Sequence, residues 1–253
     1  MNQKKDKVTV ITVCYNCEHE IEKTIESVVN QSYSNIEYLI QDGLSTDDTL
    51  DIIERYKDNI SKINSEKDSG VFDAMNKAIQ YATGDWIVFM NAGDKFHDEE
   101  TLSKVFNHNT FDLNVGVVFG DVYFVRKKGL QCIKSNPFYN QDGIRDMGIC
   151  HQSLFVRTNL AKQVKFDLSY KYAADYNMVM NIYKLGFKFE YIPIGIADYD
   201  LTGISTNNKI SQYKEVAKIC DITSGKEYYV KLMSIYIRVG KSIIKRILNS
   251  LFA

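Results

Sequence analysis

Between Val8 and Met90 the chain alternates short β-branched runs with amphipathic segments, in the order VTVITV, EIEKTIESVVNQ, IEYLIQ, DTLDIIERYK, ISKINS, VFDAMNKAIQYA and WIVFM. Short apolar runs bounded by turn residues have the pattern of buried strands. In the first longer segment Ile21, Ile25, Val28 and Val29 share one helical face, and in the third Phe72, Met75, Ile79 and Ala82 do. This is a βαβαβαβ alternation. It predicts an α/β fold with a parallel, doubly wound sheet and helices on both faces.

After Asp94 the rhythm changes. A helix is expected near Glu99–Phe106, followed by VGVVFGDVYFVRKKGLQCIK, whose two strand-like runs flank a Lys-Lys-Gly turn as antiparallel strands would. A helix over Ala174–Leu185, a strand over Phe187–Ile192 and a loop through DYDLTGIST complete the pattern, with no internal repeat or low-complexity linker.

With 253 residues, 45% of them hydrophobic, and only two prolines, the composition is that of a globular protein able to bury a sizeable core. A net charge of −1 gives no electrostatic case for nucleic-acid binding. The N-terminus lacks the apolar stretch and cleavage site of a signal peptide, and no apolar run is long enough to span a bilayer. Five cysteines, an odd number without framework spacing, suit a reducing compartment, so a cytoplasmic location is expected.

In an open parallel sheet ligands sit beyond the carboxyl ends of the strands, where loops and helix N-termini converge. Those ends carry TVCYN, QDGLSTDD, EKDSG and NAGD. Each has a plain structural explanation. Asp42-Gly43 is a turn dipeptide, Ser45 with Asp48 makes a capping box, and Asp68-Ser69-Gly70 can start a helix. Four polar strand ends in succession are harder to attribute to turn chemistry alone.

The ordered series TVCYN (12–16), QDGLSTDDT (41–49), KDSGVFDAMNKAIQYATGDWIVFMNAGD (67–94) and AADY (173–176) resembles the family 2 glycosyltransferases, inverting enzymes of the GT-A fold that include bacterial polysaccharide-biosynthesis transferases. The resemblance covers roughly residues 1–205. It implies a nucleotide-sugar-binding half over 1–94, an acceptor-side half over 95–205, and a helical extension over 206–253. Carried onto this sequence, Thr12 and Tyr15 would border the nucleoside, and Asp42 would accept a hydrogen bond from the base. Asp68 and Gly70 would lie near the ribose and phosphates. Asn91–Asp94 stands where the family places its DxD motif, with Asn91 toward the donor and Asp94 as the metal ligand. Two of the usual carboxylates are absent, yet one carboxylate with phosphates and waters can hold Mg²⁺ or Mn²⁺.

The resemblance also makes Asp175 the general base that activates an acceptor hydroxyl, although a carboxylate there could simply cap or stabilise a helix start. His151-Gln152 would face the acceptor or the donor sugar. The implied partners are a nucleotide-diphosphate sugar, a UDP-sugar in particular, and a glycan or lipid-linked acceptor.

Two other features lie outside this pattern. Cys14-Tyr15-Asn16-Cys17 stands between a strand and a helix, the setting of a thiol redox pair, so a redox protein is the alternative enzyme class. A nucleotide-sugar-binding protein without turnover is the non-enzymatic one. The final segment, KEYYVKLMSIYIRVGKSIIKRILNSLF, spaces apolar residues helically among Lys231, Arg238, Lys241, Lys245 and Arg246. It is either a helix packed on the domain or an anchor on anionic lipid at the inner face of the cell membrane.

Overall fold

The computed structural model describes residues 5–126, 129–135, 150–200 and 208–225, with Tyr229, Leu232, Met233 and Ile237 beyond them. The first half follows the predicted alternation: β1 (Val8–Cys14), α1 (Ile21–Val29), β2 (Ile36–Asp42), α2 (Thr49–Arg55), β3 (Lys62–Ser65), α3 (Val71–Tyr81) and β4 (Trp86–Phe89). The second half contains β5 (Lys95–Phe96), α4 (Thr101–Phe106), β6 (Val115–Arg126), β7 (Gly129–Ile133), β8 (Leu154–Arg157), α5 (Thr158–Val164), α6 (Ala174–Lys184), β9 (Lys188–Asp200) and α7 (Lys209–Ile219).

One sheet runs through both halves in the order β3-β2-β1-β4-β8-β6-β9-β5, with β7 paired to β6. Strands β3, β2, β1 and β4 are mutually parallel, so their carboxyl ends share one edge. β8 runs antiparallel to both β4 and β6, while β6 and β9 are parallel. The residues just before β8 therefore arrive beside the carboxyl end of β4. This reversal decides what the site can contain.

Side chains alternate along β1 between two cores, Ile11 and Val13 on one face and Val8 and Val10 on the other. The first core is closed by Ala74, Met75, Ala78 and Ile79 of α3 with residues of α5 and α6, the second by α1, α2 and α4. Trp86 is fully buried in the second, donates its ring N–H to Asp6 at 2.8 Å, and has the Arg157 guanidinium 4.1 Å above its ring. Truncating such a residue costs roughly 3–5 kcal/mol.

β9 extends well past the expected end at Ile192, because its second half pairs with β6 over Asp121–Val125 and with β5. Residues 201–207 of the expected loop lie outside the described residues. α7 packs at the start of α6: the Glu215 carboxylate accepts the backbone N–H groups of Lys171, Tyr172 and Ala173 at 3.0, 2.8 and 2.9 Å. The basic residues of the tail lie outside the described residues. Tyr229, Met233 and Ile237 are helical and exposed.

Candidate active site

The loops after β1 and β2 are laced together by their polar residues. Asn16, at φ 46°, accepts the Thr46 N–H at 2.8 Å, and its own N–H bonds the Ser45 hydroxyl at 2.9 Å. The Cys17 N–H reaches the Thr49 hydroxyl at 2.8 Å, and the Glu18 N–H reaches Asp47 at 3.1 Å. This holds Tyr15 out at 62% exposure over the strand ends. Gly43 lies beneath it. A Cβ there would come within 2.6 Å of an Asp68 carboxylate oxygen and 3.3 Å of the Tyr15 ring, so glycine is what lets Tyr15 and Asp68 converge. Asp68 accepts the Gly70 N–H at 2.8 Å, and Gly70, at φ 127°, precedes α3.

Two residues expected at the nucleoside, Thr12 and Asp42, are instead buried. Thr12 does not border the crevice. It is 0% exposed, and its hydroxyl donates to the Met90 carbonyl at 2.7 Å beside the Tyr38 hydroxyl at 3.0 Å. Asp42 is not presented to a base either. It is 0% exposed, and its carboxylate accepts the Ser45 N–H at 3.0 Å, the Ser45 hydroxyl, the Ser65 hydroxyl at 2.6 Å and the Cys14 thiol at 3.7 Å. A carboxylate supplied by four internal donors ties the ends of β1, β2 and β3 together.

Cys14 is buried. Its thiol is pushed far up by its hydrogen bond to Cys17 and by burial, and Cys17 is correspondingly pulled down by that bond. The pair is packed into the loop base, and both cysteines are free.

After β4, Asn91–Asp94 forms a turn closed by the Asp94 N–H to the Asn91 carbonyl at 2.9 Å. Gly93 sits third with φ 102°, a conformation that type II turns reserve for glycine. The buried Thr24 hydroxyl braces the turn, donating to the Asp94 carbonyl at 2.7 Å and accepting the Gly93 N–H at 3.0 Å. The apolar strand thus ends in a rigid polar turn whose shape the Asn-Ala-Gly-Asp sequence dictates.

The antiparallel entry of β8 places His151–Ser153, a single 3₁₀ turn, against this structure. The Gln152 amide donates to Asp94 Oδ2 at 2.9 Å. With Gln152 at 2% exposure and Asp94 at 6%, Gln152 supports the turn instead of facing a sugar, as had been expected of it. His151 spans two elements: Nε2 lies 3.1 Å from Asn91 Nδ2, and Nδ1 lies 3.4 Å from Asp175 Oδ2. Asp175 is in the first turn of α6, not at its cap, which is Ala173, and its other oxygen accepts the Tyr176 N–H at 2.8 Å. Cys150 adjoins the group. Burial and then the charges of Asp175 and Asp94 push its thiol up to about 12.

The structure therefore joins Asn91, Asp94, His151, Gln152 and Asp175 in one network, with Tyr15, Asp68 and Gly70 along the neighbouring strand ends. Sequence reasoning missed Thr24 and Glu215. Both act through backbone groups distant in sequence, and neither belongs to a motif.

Residues 9–170 match glycosyl transferase family 2. The PGL/p-HBAD biosynthesis glycosyltransferase of Mycobacterium bovis (strain BCG / Pasteur 1173P2) is 27% identical over 238 residues, 88% of this chain and 86% of that protein. The UDP-Glc:alpha-D-GlcNAc-diphosphoundecaprenol beta-1,3-glucosyltransferase of Escherichia coli is 34% identical over 126 residues, 46% of this chain and 50% of that one. The structure of a mannosyltransferase from Pyrobaculum calidifontis in complex with GDP-Man and Mn²⁺ superposes with a TM-score of 0.66 at 19% identity, covering 88% of this chain and 66% of that one. The chain therefore belongs to glycosyl transferase family 2 and is a glycosyltransferase of the GT-A fold.

Proposed function

We propose that the chain moves a sugar, with inversion, from a nucleoside-diphosphate donor, a UDP-sugar, to a hydroxyl of a glycan or lipid-linked acceptor in surface polysaccharide or glycolipid synthesis. The observation that carries this is the convergence of the 91–94 turn and Asp175 through His151 and Gln152. The E. coli relative is named for a UDP-sugar donor and a diphosphoundecaprenol-linked acceptor. In this reading 1–94 is the donor half and 95–205 the acceptor half. The Tyr15 ring flanks the nucleoside, and Asp68 and Gly70 face the ribose and phosphates. Asp175 accepts the acceptor's hydroxyl proton as that oxygen bonds the anomeric carbon, and the bond from that carbon to the diphosphate breaks on the opposite side.

The turn also fits a divalent ion. Asn91 Oδ1 is buried with no hydrogen-bond partner, an oxygen donor three residues from the Asp94 carboxylate. Mg²⁺ or Mn²⁺ commonly uses one or two protein oxygens with substrate phosphates and water. Among the described residues no group of three or more His, Cys, Asp or Glu side chains is placed to hold a metal. Asp94 and Asn91 would hold the ion, which would neutralise charge on the leaving diphosphate.

Among the described residues no helix is long and apolar enough to cross a membrane. We place the enzyme in the cytoplasm, at the inner membrane face. The basic tail and the exposed Tyr229, Met233 and Ile237, spaced by four, support this. Truncation at Lys226 should release the protein from anionic vesicles at low salt. Equal vesicle binding by both chains would reject the anchor.

The activity is tested by incubation with UDP-sugars and Mn²⁺ or Mg²⁺, reading UDP release with a lipid-linked acceptor and thermal stability without one. A ligand of the native state raises stability. Absence of a shift with every nucleoside diphosphate and its sugars would contradict the reading.

A further inference from the structure

His151 occupies the only position among the described site residues from which one side chain reaches both the turn after β4 and the first turn of α6. Its hydrogen-bonding roles follow from its neighbours. With Asn91 Nδ2 as the donor, Nε2 accepts, and Nδ1 is then the nitrogen that presents its N–H to Asp175 Oδ2. Turning the Asn91 amide would move that proton to Nε2 and set the Nδ1 lone pair against a carboxylate. The first orientation therefore suits Asp175, and it leaves Asn91 Oδ1 buried without a hydrogen-bond partner.

The second oxygen of Asp175 is held by the Tyr176 N–H at 2.8 Å, so closure of the His151 contact on the first would fix the carboxylate plane. Each oxygen retains a lone pair for a substrate proton. The Nδ1 to Oδ2 separation of 3.4 Å exceeds a formed hydrogen bond. Catalytic hydrogen bonds are often long before substrate binds.

We propose that His151 is a positioning residue for sugar transfer: its imidazole, oriented by Asn91, holds the Asp175 carboxylate in register with the donor-binding turn. The proposal rests on the assignment of Asp175 as the base. It makes His151 act on the rate of the chemical step through Asp175, and not through contact with either sugar, the role its place in the sequence had suggested.

The test uses the full chain, a UDP-sugar that it transfers, and three substitutions. His151→Ala should lower kcat by about tenfold to a hundredfold, the scale of a misplaced catalytic group, with the donor Kd from calorimetry unchanged within about twofold. His151→Asn puts an amide N–H about where Nδ1 stands and should recover most of the rate. His151→Gln reaches only the Nε2 side and should remain as slow as alanine. On an Asp175→Asn background His151→Ala should cost nothing further, because residues acting as a unit are non-additive.

A raised donor Kd or acceptor KM at unchanged kcat would overturn the proposal, as would an undiminished loss on the Asp175→Asn background. If the alanine variant does not fold, the asparagine and glutamine variants carry the comparison, and equal rates for the two would overturn it. Failure of the base assignment looks different: Asp175→Asn alone would then transfer at near wild-type rate.

Discussion

Replacing Asp42 with alanine separates a ligand-facing carboxylate from one that ties loops together. The substitution removes the acceptor for the Ser45 N–H, the Ser45 and Ser65 hydroxyls and the Cys14 thiol. Hydrogen bonds to a charged group contribute about 1.5–3 kcal/mol each. Ser65 is exposed and Ser45 half-buried, so their hydroxyls can turn to water, and the weak thiol donor counts for little. The Ser45 N–H and the small cavity bear the main cost, giving an expected loss of about 2–4 kcal/mol. For a domain of this size that is a fall in Tm of roughly 5–15 °C. Thermal unfolding with and without UDP, alongside calorimetric binding below the transition, measures both consequences. Stability should fall together with affinity, because Tyr15 and Asp68 lose their shared support. A variant with unchanged Tm that no longer binds nucleotide would refute the reasoning and put the carboxylate back against the base.

Two further outcomes follow from groups away from the chemistry. Glu37 is buried, which opposes its charge, yet the Thr83 N–H and hydroxyl, the Thr9 hydroxyl and Lys7 outweigh burial and hold it down at about 2. A carboxylate lowered on folding stabilises above its unfolded value and loses that contribution as pH falls through the folded one. About 3 kcal/mol should therefore disappear between about pH 5 and 2, and urea unfolding of Glu37→Gln across that range should show a flatter profile than wild type. Glu215→Ala strands three N–H groups ahead of α6, so transfer should drop while UDP affinity holds, read by paired kinetics and calorimetry. Unchanged kcat would show that α7 does not set the position of Asp175.

The first half of the fold was legible because each element from β1 to β4 carries its own period and turn punctuation, and boundaries fall within a few residues of the pattern. β8 and α5 were not. Leu154–Arg157 is too short for a periodic signal, and the seven residues of Thr158–Val164 follow it directly with no turn residue between. α7 escaped because Lys209–Ile219 buries only Ala217 and Ile219, both in its last turn. In the site, the motif residues could be located, but their partners could not. Thr12 and Asp42 are committed to donors and acceptors on other loops, and the meeting of Asn91, His151 and Asp175 depends on β8 inserting antiparallel between β4 and β6. No local pattern encodes that insertion.

The measurement closest to the central claim is sugar transfer by Asp175→Asn, with folding and donor affinity measured on the same preparation. Asparagine keeps the shape and an oxygen for the Tyr176 N–H but cannot take a proton at neutral pH. The protein should fold and bind donor as wild type does, while transfer drops by about a hundredfold or more, the usual scale for a lost general base. Near wild-type transfer by a folded, donor-binding Asp175→Asn chain would contradict the account.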